Sequence, residues 1–118
     1  MSVKLYGLKN CDSCRKARRW LGDQDIPHQF FDLRDDGLDE TTLLGWVEQS
    51  DWQTLLNKRG TTWRKLDDHD KSDIDQARAT ALMQRYPALI KRPILDYQGQ
   101  IHVGFSEQQY ATLFAGAD

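Results

Sequence analysis

Cysteine, proline and histidine are scarce in this chain, with two, three and three residues among 118. Two cysteines close together do not make the disulfide framework of a small extracellular domain. One such pair with three scattered histidines, His28, His69 and His102, gives no regular four-ligand zinc site. An excess of one charge is lacking too. The net charge is -2, and both signs are mixed along the chain, so the electrostatic footprint of a general nucleic-acid binder is missing. No apolar run approaches a membrane span, and Lys4, Lys9, Asp12, Arg15 and Lys16 interrupt the stretch where a secretory leader would be apolar. These absences predict a cytoplasmic protein in reducing surroundings, without nucleic-acid or membrane partners, bound metal or tightly held cofactor. In such surroundings a cysteine pair is more often catalytic or metal-binding than structural.

Apolar residues make up 39% of the chain and charged residues 29%, an ordinary globular balance, and the length suits a single domain spanning 1–118. Its most informative stretch is Tyr6-Gly7-Leu8-Lys9-Asn10-Cys11-Asp12-Ser13-Cys14-Arg15-Lys16. It joins a β-prone run at residues 3–6 to an amphipathic helix expected over about 12–24, and both cysteines fall at the junction. A Cys-x-x-Cys at the start of a helix that follows a strand reads as a thioredoxin-like redox motif. A helix start leaves amide groups unpaired and carries the positive end of the dipole, so it stabilises a thiolate at Cys11. Lys9, Arg15 and Lys16 add cations, and Cys14, three residues on, lies on nearly the same face and within reach of Cys11. The arginines and lysines of the helix read as a solvated outer face.

Ile26-Pro27 turns the chain into a second strand at 28–33, completing a βαβ unit. No strand is expected over the region 38–86. Asp39 is expected to cap a helix to about Gln49 with Leu43, Leu44 and Val47 as its buried stripe, and Asp51-Trp52 to open a short helical turn. Residues 57–62 read as a loop. The run Asp67-Asp68-His69-Asp70-Lys71 crowds its carboxylates at consecutive positions and reads as a solvated linker, not a metal site. Ser72 with Asp75 predicts a capping box for a third helix, with Ile74, Ala77, Ala81 and Met83 or Leu82 on its apolar side. Residues 94–97 and 100–104 read as a hairpin about Gln98-Gly99, and Ser106 with Gln109 caps a closing helix holding Tyr110, Leu113 and Phe114. The expected architecture is α/β: βαβ, a helical insertion over about 38–86, then ββα on a small mixed sheet, which is a thioredoxin-like fold.

Tyr6, the loop to Cys11, Cys14-Arg15-Lys16-Ala17, Leu56 with Arg59, and above all Lys91-Arg92-Pro93-Ile94 followed by Gly104 and Glu107 resemble the ArsC/Spx/YffB family of small thioredoxin-like proteins. The likeness spans almost the whole chain, and its length without a C-terminal extension sets it nearest the YffB branch. The resemblance implies a thiol reductase in which Cys11 attacks an oxyanion or disulfide, with glutathione or glutaredoxin as electron source. It also implies a cis peptide bond at Pro93, facing Cys11. An extended glutathione would pair with the Arg92 backbone as a short added strand and place its carboxylates near Lys9 and Arg92. The arsenate reductases of the family carry a set of arginines for the oxyanion. Here Asn57 and Gly104 stand at two of those positions, Arg92 remains, and Gly7 stands where a histidine precedes the cysteine. Because forked arginine contacts recognise such oxyanions, these departures predict that selective arsenate binding is lost. Arg59 matches an arginine kept in the Spx branch and completes the substrate-binding candidates.

The resulting reading is a monomeric, glutathione-linked thiol-disulfide oxidoreductase acting on small thiol or protein disulfide substrates. Cys11 is its nucleophile and Cys14 a resolving or switching partner. The alternative is an Spx-like regulator in which Cys11 and Cys14 form a redox switch and the helical insertion docks on RNA polymerase.

Overall fold

The computed structural model describes residues 3–115. Its elements in chain order are β1 (Val3–Gly7), α1 (Asp12–Asp23), β2 (Gln29–Asp32), α2 (Glu40–Gln49), α3 (Trp52–Leu55), α4 (Thr61–Arg64), α5 (Asp68–Lys71), α6 (Gln76–Arg85), a 3-10 turn (Pro87–Leu89), β3 (Ile94–Tyr97), β4 (Gln100–Val103) and α7 (Glu107–Phe114). The chain divides into two compact units, one running up to Asp32 and resuming at Arg92, the other extending from Leu33 to Lys91.

The first unit holds one sheet of order β2-β1-β3-β4. β1 pairs parallel with β2, Leu5 opposite Phe30, and antiparallel with β3, Leu5 opposite Leu95, while β3 and β4 form an antiparallel hairpin. The alternation of β1 turns Val3 and Leu5 into the core, where they meet Ala17 and Leu21 of α1, Leu95 and Tyr97 of β3, and Tyr110 and Phe114 of α7. Leu5, Leu21 and Leu95 are wholly buried, and each such side chain contributes roughly 1.5–3 kcal/mol. The hairpin turns through Gln98 and Gly99 with φ of 56° and 80°, the type I′ geometry that matches strand twist. Ser106 caps α7 by accepting the amide of Gln109 at 3.0 Å. This βαβ–ββα mixed sheet is the thioredoxin-like arrangement expected from the sequence.

The second unit is helical, and no strand interrupts residues 38–86 beyond a single bridging residue. There Leu56 pairs with Ile90, flanked by bonds from the amides of Asn57 and Lys91 to the carbonyls of Leu89 (2.7 Å) and Leu55 (2.8 Å). In α2 the buried stripe is Leu43, Trp46 and Val47, while Leu44 is 40% exposed. Trp46 buries far more area than Leu44, which fixes the rotation of α2 where it packs on α6. α6 begins at Gln76, four residues later than expected. Asp75 is itself the cap, accepting the Arg78 amide at 2.9 Å, and Ser72 instead donates to the carbonyl of His69. With residues 72–75 outside the helix, the inward face is Ala79, Thr80 and Met83, so Met83 faces inward as expected while Ala79 and Thr80 take the place of Ile74, Ala77 and Ala81.

Two short helices lie where loops were expected. α4 takes the end of the 57–62 loop, and α5 takes the acidic run around His69. No cluster of metal-ligating side chains occurs among the described residues. Lys58 and Lys71 lie 5.6 and 5.7 Å from the ring of Trp63, an arrangement that anchors this otherwise polar segment through cation–π contact. No helix among the described residues is long and apolar enough to cross a membrane.

Candidate active site

Cys11 is the N-cap residue of α1, with extended backbone (φ -103°, ψ 123°) and no side-chain cap. Its amide is used by the loop, donating to the Leu8 carbonyl at 3.2 Å, and its carbonyl receives the Arg15 amide at 2.9 Å. The sulfur is therefore left to face the unpaired amides of the first helical turn while staying half-exposed. Burial is the largest influence on this thiol and works to raise its pKa. It is outweighed by the Cys14 amide, the Cys14 side chain and the Arg92 guanidinium, which together hold Cys11 below its ordinary value.

Cys14 has no exposed surface. Burial pushes its thiol up to about 12 against a hydrogen bond from the Leu8 backbone, and the neighbouring Cys11 pushes the same way as burial. The pair is thus asymmetric: a Cys14 S–H that keeps its proton donates to a Cys11 sulfur that gives its proton up. Gly7 makes room for this arrangement. A Cβ at position 7 would overlap Cys14 Sγ and sit 3.3 Å from Cys14 Cβ and 3.6 Å from Phe30. The last residue of β1 lacks a side chain because a sulfur occupies that volume.

Arg92 is half-buried and reaches Cys11 both as a hydrogen-bond donor and as a charge. The peptide bond between Arg92 and Pro93 is cis, and Pro93 is buried with its carbonyl accepting the Gly104 amide at 2.8 Å. Lys9 is exposed, and its amide donates to the buried carboxylate of Asp32 at 2.9 Å, which ties the loop before Cys11 to the end of β2. Cys11, Cys14, Lys9, Arg92 and Pro93 therefore all belong to the sheet unit. Arg59 does not: it is an exposed residue of the helical unit, in the loop after α3, where its amide donates to Asn57 Oδ1 at 3.0 Å.

The departures from the arginine-rich pattern are built into the backbone. Gly104 has φ +86°, a conformation that strains any residue with a side chain, and Asn57 shapes its own loop. Two residues that sequence reasoning left outside the site belong to its surroundings, Asp32 and Tyr110. Tyr110 was expected only as core, yet its phenol is pushed up, first by burial and then by the charge of Cys14. Asp32 carried a signal in its position, a carboxylate at the inward end of a strand.

Beside Ser13 a cleft of about 510 Å³ opens between α1 and the start of α7, lined by Lys16, Trp20, Phe105, Ser106 and Glu107 among others.

The ArsC family model matches residues 6–113. An uncharacterized protein of Haemophilus influenzae is 43% identical over 113 residues, covering 96% of this chain and 99% of its own. The solved structure of a YFFB protein is 43% identical, superposes with a TM-score of 0.90, and covers 94% of this chain and 97% of its own. The global transcriptional regulator Spx of Listeria innocua is 32% identical over 110 residues, covering 91% of this chain and 82% of its own. Matched over nearly its whole length and sharing the fold of a YFFB structure, the chain belongs to the ArsC family, on the YffB side of it.

Proposed function

We propose that the protein is a glutathione-linked thiol-disulfide oxidoreductase with Cys11 as nucleophile. The observation that carries this reading is the Cys11 sulfur itself. It is half-exposed at a helix start, and the Cys14 amide and thiol and the Arg92 guanidinium favour its thiolate. A thiolate in that setting attacks a disulfide sulfur, forms a mixed disulfide and expels the other half as a thiolate. Glutathione or Cys14 then resolves the mixed disulfide. Exposed Lys9 and half-buried Arg92 offer cations to the carboxylates of a peptide thiol, and the backbone before Pro93 offers it a strand edge. The cleft beside Ser13 falls within the size range of small-ligand sites and has room for the part of the substrate that does not react.

Arsenate fits this site poorly. Gly104 and Gly7 are held without side chains by backbone conformation and by the Cys14 sulfur, so no arginine or histidine stands there. The test is reduction of a glutathione mixed disulfide by the purified chain with glutathione as reductant. Turnover that disappears in Cys11→Ser supports the reading, and equal turnover in Cys11→Ser overturns it. A second reading draws on the likeness to Spx, named a global transcriptional regulator: a Cys11–Cys14 switch on a surface that docks to RNA polymerase. Polymerase subunits retained by a chain with no reductase turnover would favour it.

A further inference from the structure

The chain has a net charge of -2, yet α1 alone carries +2, with Arg15, Lys16, Arg18 and Arg19 against Asp12 and Asp23, which leaves -4 for all other residues. By sequence these cations are only a solvated face, but the structure holds several of them in place. Arg15 is fixed by Asp12 at 2.5 Å. The Arg18 guanidinium lies 4.3 Å over the centre of the Phe30 ring, and His28 is tied through Nδ1 to the Ile26 carbonyl at 3.0 Å. Arg18 and Arg19 form no salt bridge among the described residues. Arg15, Arg18, Arg19 and His28 line one open depression of about 480 Å³, and no carboxylate lines it with them. The cleft toward α7 differs, since Asp23 and Glu107 line it together with Lys16 and Arg19. A guanidinium already stacked on a ring loses less freedom when it takes an anion.

We propose that this depression docks an acidic stretch of a polypeptide substrate, so that the preferred substrates are protein disulfides flanked by aspartate or glutamate. The inference rests on the oxidoreductase reading and deepens it by naming the substrate class. Half-exposed Cys11 opens the same helix, and Arg18 and Arg19 follow seven and eight residues later, about 10–12 Å along its axis. An extended chain covers that distance in roughly three to four residues. A carboxylate so placed reaches the guanidiniums while the reacting sulfur stands at Cys11. Arginine takes a carboxylate through paired charge-assisted hydrogen bonds, and a cationic field beside the thiolate raises the encounter rate of an acidic partner. The chemistry at sulfur is unchanged. The Cys11 thiolate attacks the substrate sulfur, the old disulfide breaks, the mixed disulfide forms, and the departing thiolate takes up a proton.

The experiment compares two short peptides, each with a central cysteine joined to 2-thiopyridine, whose release as the coloured thione reports attack by Cys11. One carries glutamate about three and four residues to either side of the cysteine, and the other carries glutamine there. At about 0.01 M salt the parent chain is expected to react about tenfold faster with the acidic peptide, and at about 1 M, where charges act over only about 3 Å, at nearly equal rates. In the double variant Arg18→Gln, Arg19→Gln the low-salt advantage should fall severalfold, with the rate for the neutral peptide unchanged. A parent that does not distinguish the peptides at low salt overturns the proposal, as does a double variant that keeps the whole advantage. If the variant loses its native near-ultraviolet dichroism, the parent decides alone. Titrated with the acidic peptide bearing serine in place of cysteine, its amide resonances should move around Arg15, Arg18, Arg19 and His28, and shifts elsewhere or none overturn the proposal. A parent that reacts with neither peptide refutes the oxidoreductase reading instead and leaves the titration to judge the docking site.

Discussion

Gly7 and Cys14 share one volume: the sulfur of the second residue fills the space that a side chain on the first would need. Gly7→Ala should therefore destabilise the chain by roughly 1–3 kcal/mol, the usual cost of overpacking. Because the clash is with one atom, most of that cost should vanish when Cys14 is also replaced by alanine. Urea denaturation of the two single variants and the double variant measures the coupling. Additivity to within about 0.5 kcal/mol would show that the two residues do not compete.

Arg92 favours the ionised Cys11 through a hydrogen bond and through its charge. Removing the guanidinium withdraws support from the thiolate, so the Cys11 pKa must rise in Arg92→Ala and the thiolate fraction at neutral pH must fall. Alkylation by iodoacetamide as a function of pH reads this directly. The midpoint for the parent should lie below the ordinary thiol value of 9.0, and that of Arg92→Ala should lie above the parent's. A common midpoint would remove Arg92 from the site.

Cys14 and Tyr110 bind their protons more tightly in the folded chain than in the unfolded one, and burial is the leading cause for both. The folded state then carries extra protons in alkali. Stability that is present in full below the unfolded thiol value of 9.0 is lost as pH rises through the folded value of about 12. Urea midpoints should fall across that window, and Cys14→Ala should fall less steeply than the parent. Identical slopes for the two proteins would contradict the burial of an un-ionised Cys14.

Asp75 closes the start of α6 with its carboxylate on the Arg78 amide, while Ser72 lies outside the helix. Asp75→Ala should cost about 1 kcal/mol, the typical worth of an N-cap, and Ser72→Ala no more than about 0.5 kcal/mol. Thermal unfolding of the two variants distinguishes them, and the reverse order would return the helix start to Ser72.

That reversal of roles shows where sequence reasoning reached its limit. The sheet was legible because its signals are local. Val3 and Leu5 alternate, Gln98-Gly99 marks a tight turn, and Cys11 sits where a strand run gives way to helical spacing. The acidic stretch around residues 67–75 was not, since several of its aspartates could each cap a helix and only tertiary contacts choose among them. Leu44 and Trp46 posed the same problem, adjacent apolar positions of which packing on α6 selects one. At the site, the cysteines and the Arg92-Pro93 pair could be named from type and spacing. What type and spacing could not show is that Gly7 is kept bare by the Cys14 sulfur, which comes close only after folding.

The unequal exposure of the two sulfurs also imposes a chronology. An oxidant or disulfide arriving from solvent meets Cys11 alone, since Cys14 offers no surface. Every reaction at this pair must begin at position 11, and Cys14 can act only on what Cys11 has already become. An enzyme and a redox switch built on this fold would therefore share their opening event and differ only in which thiol ends it, a free one from solvent or the one already waiting inside.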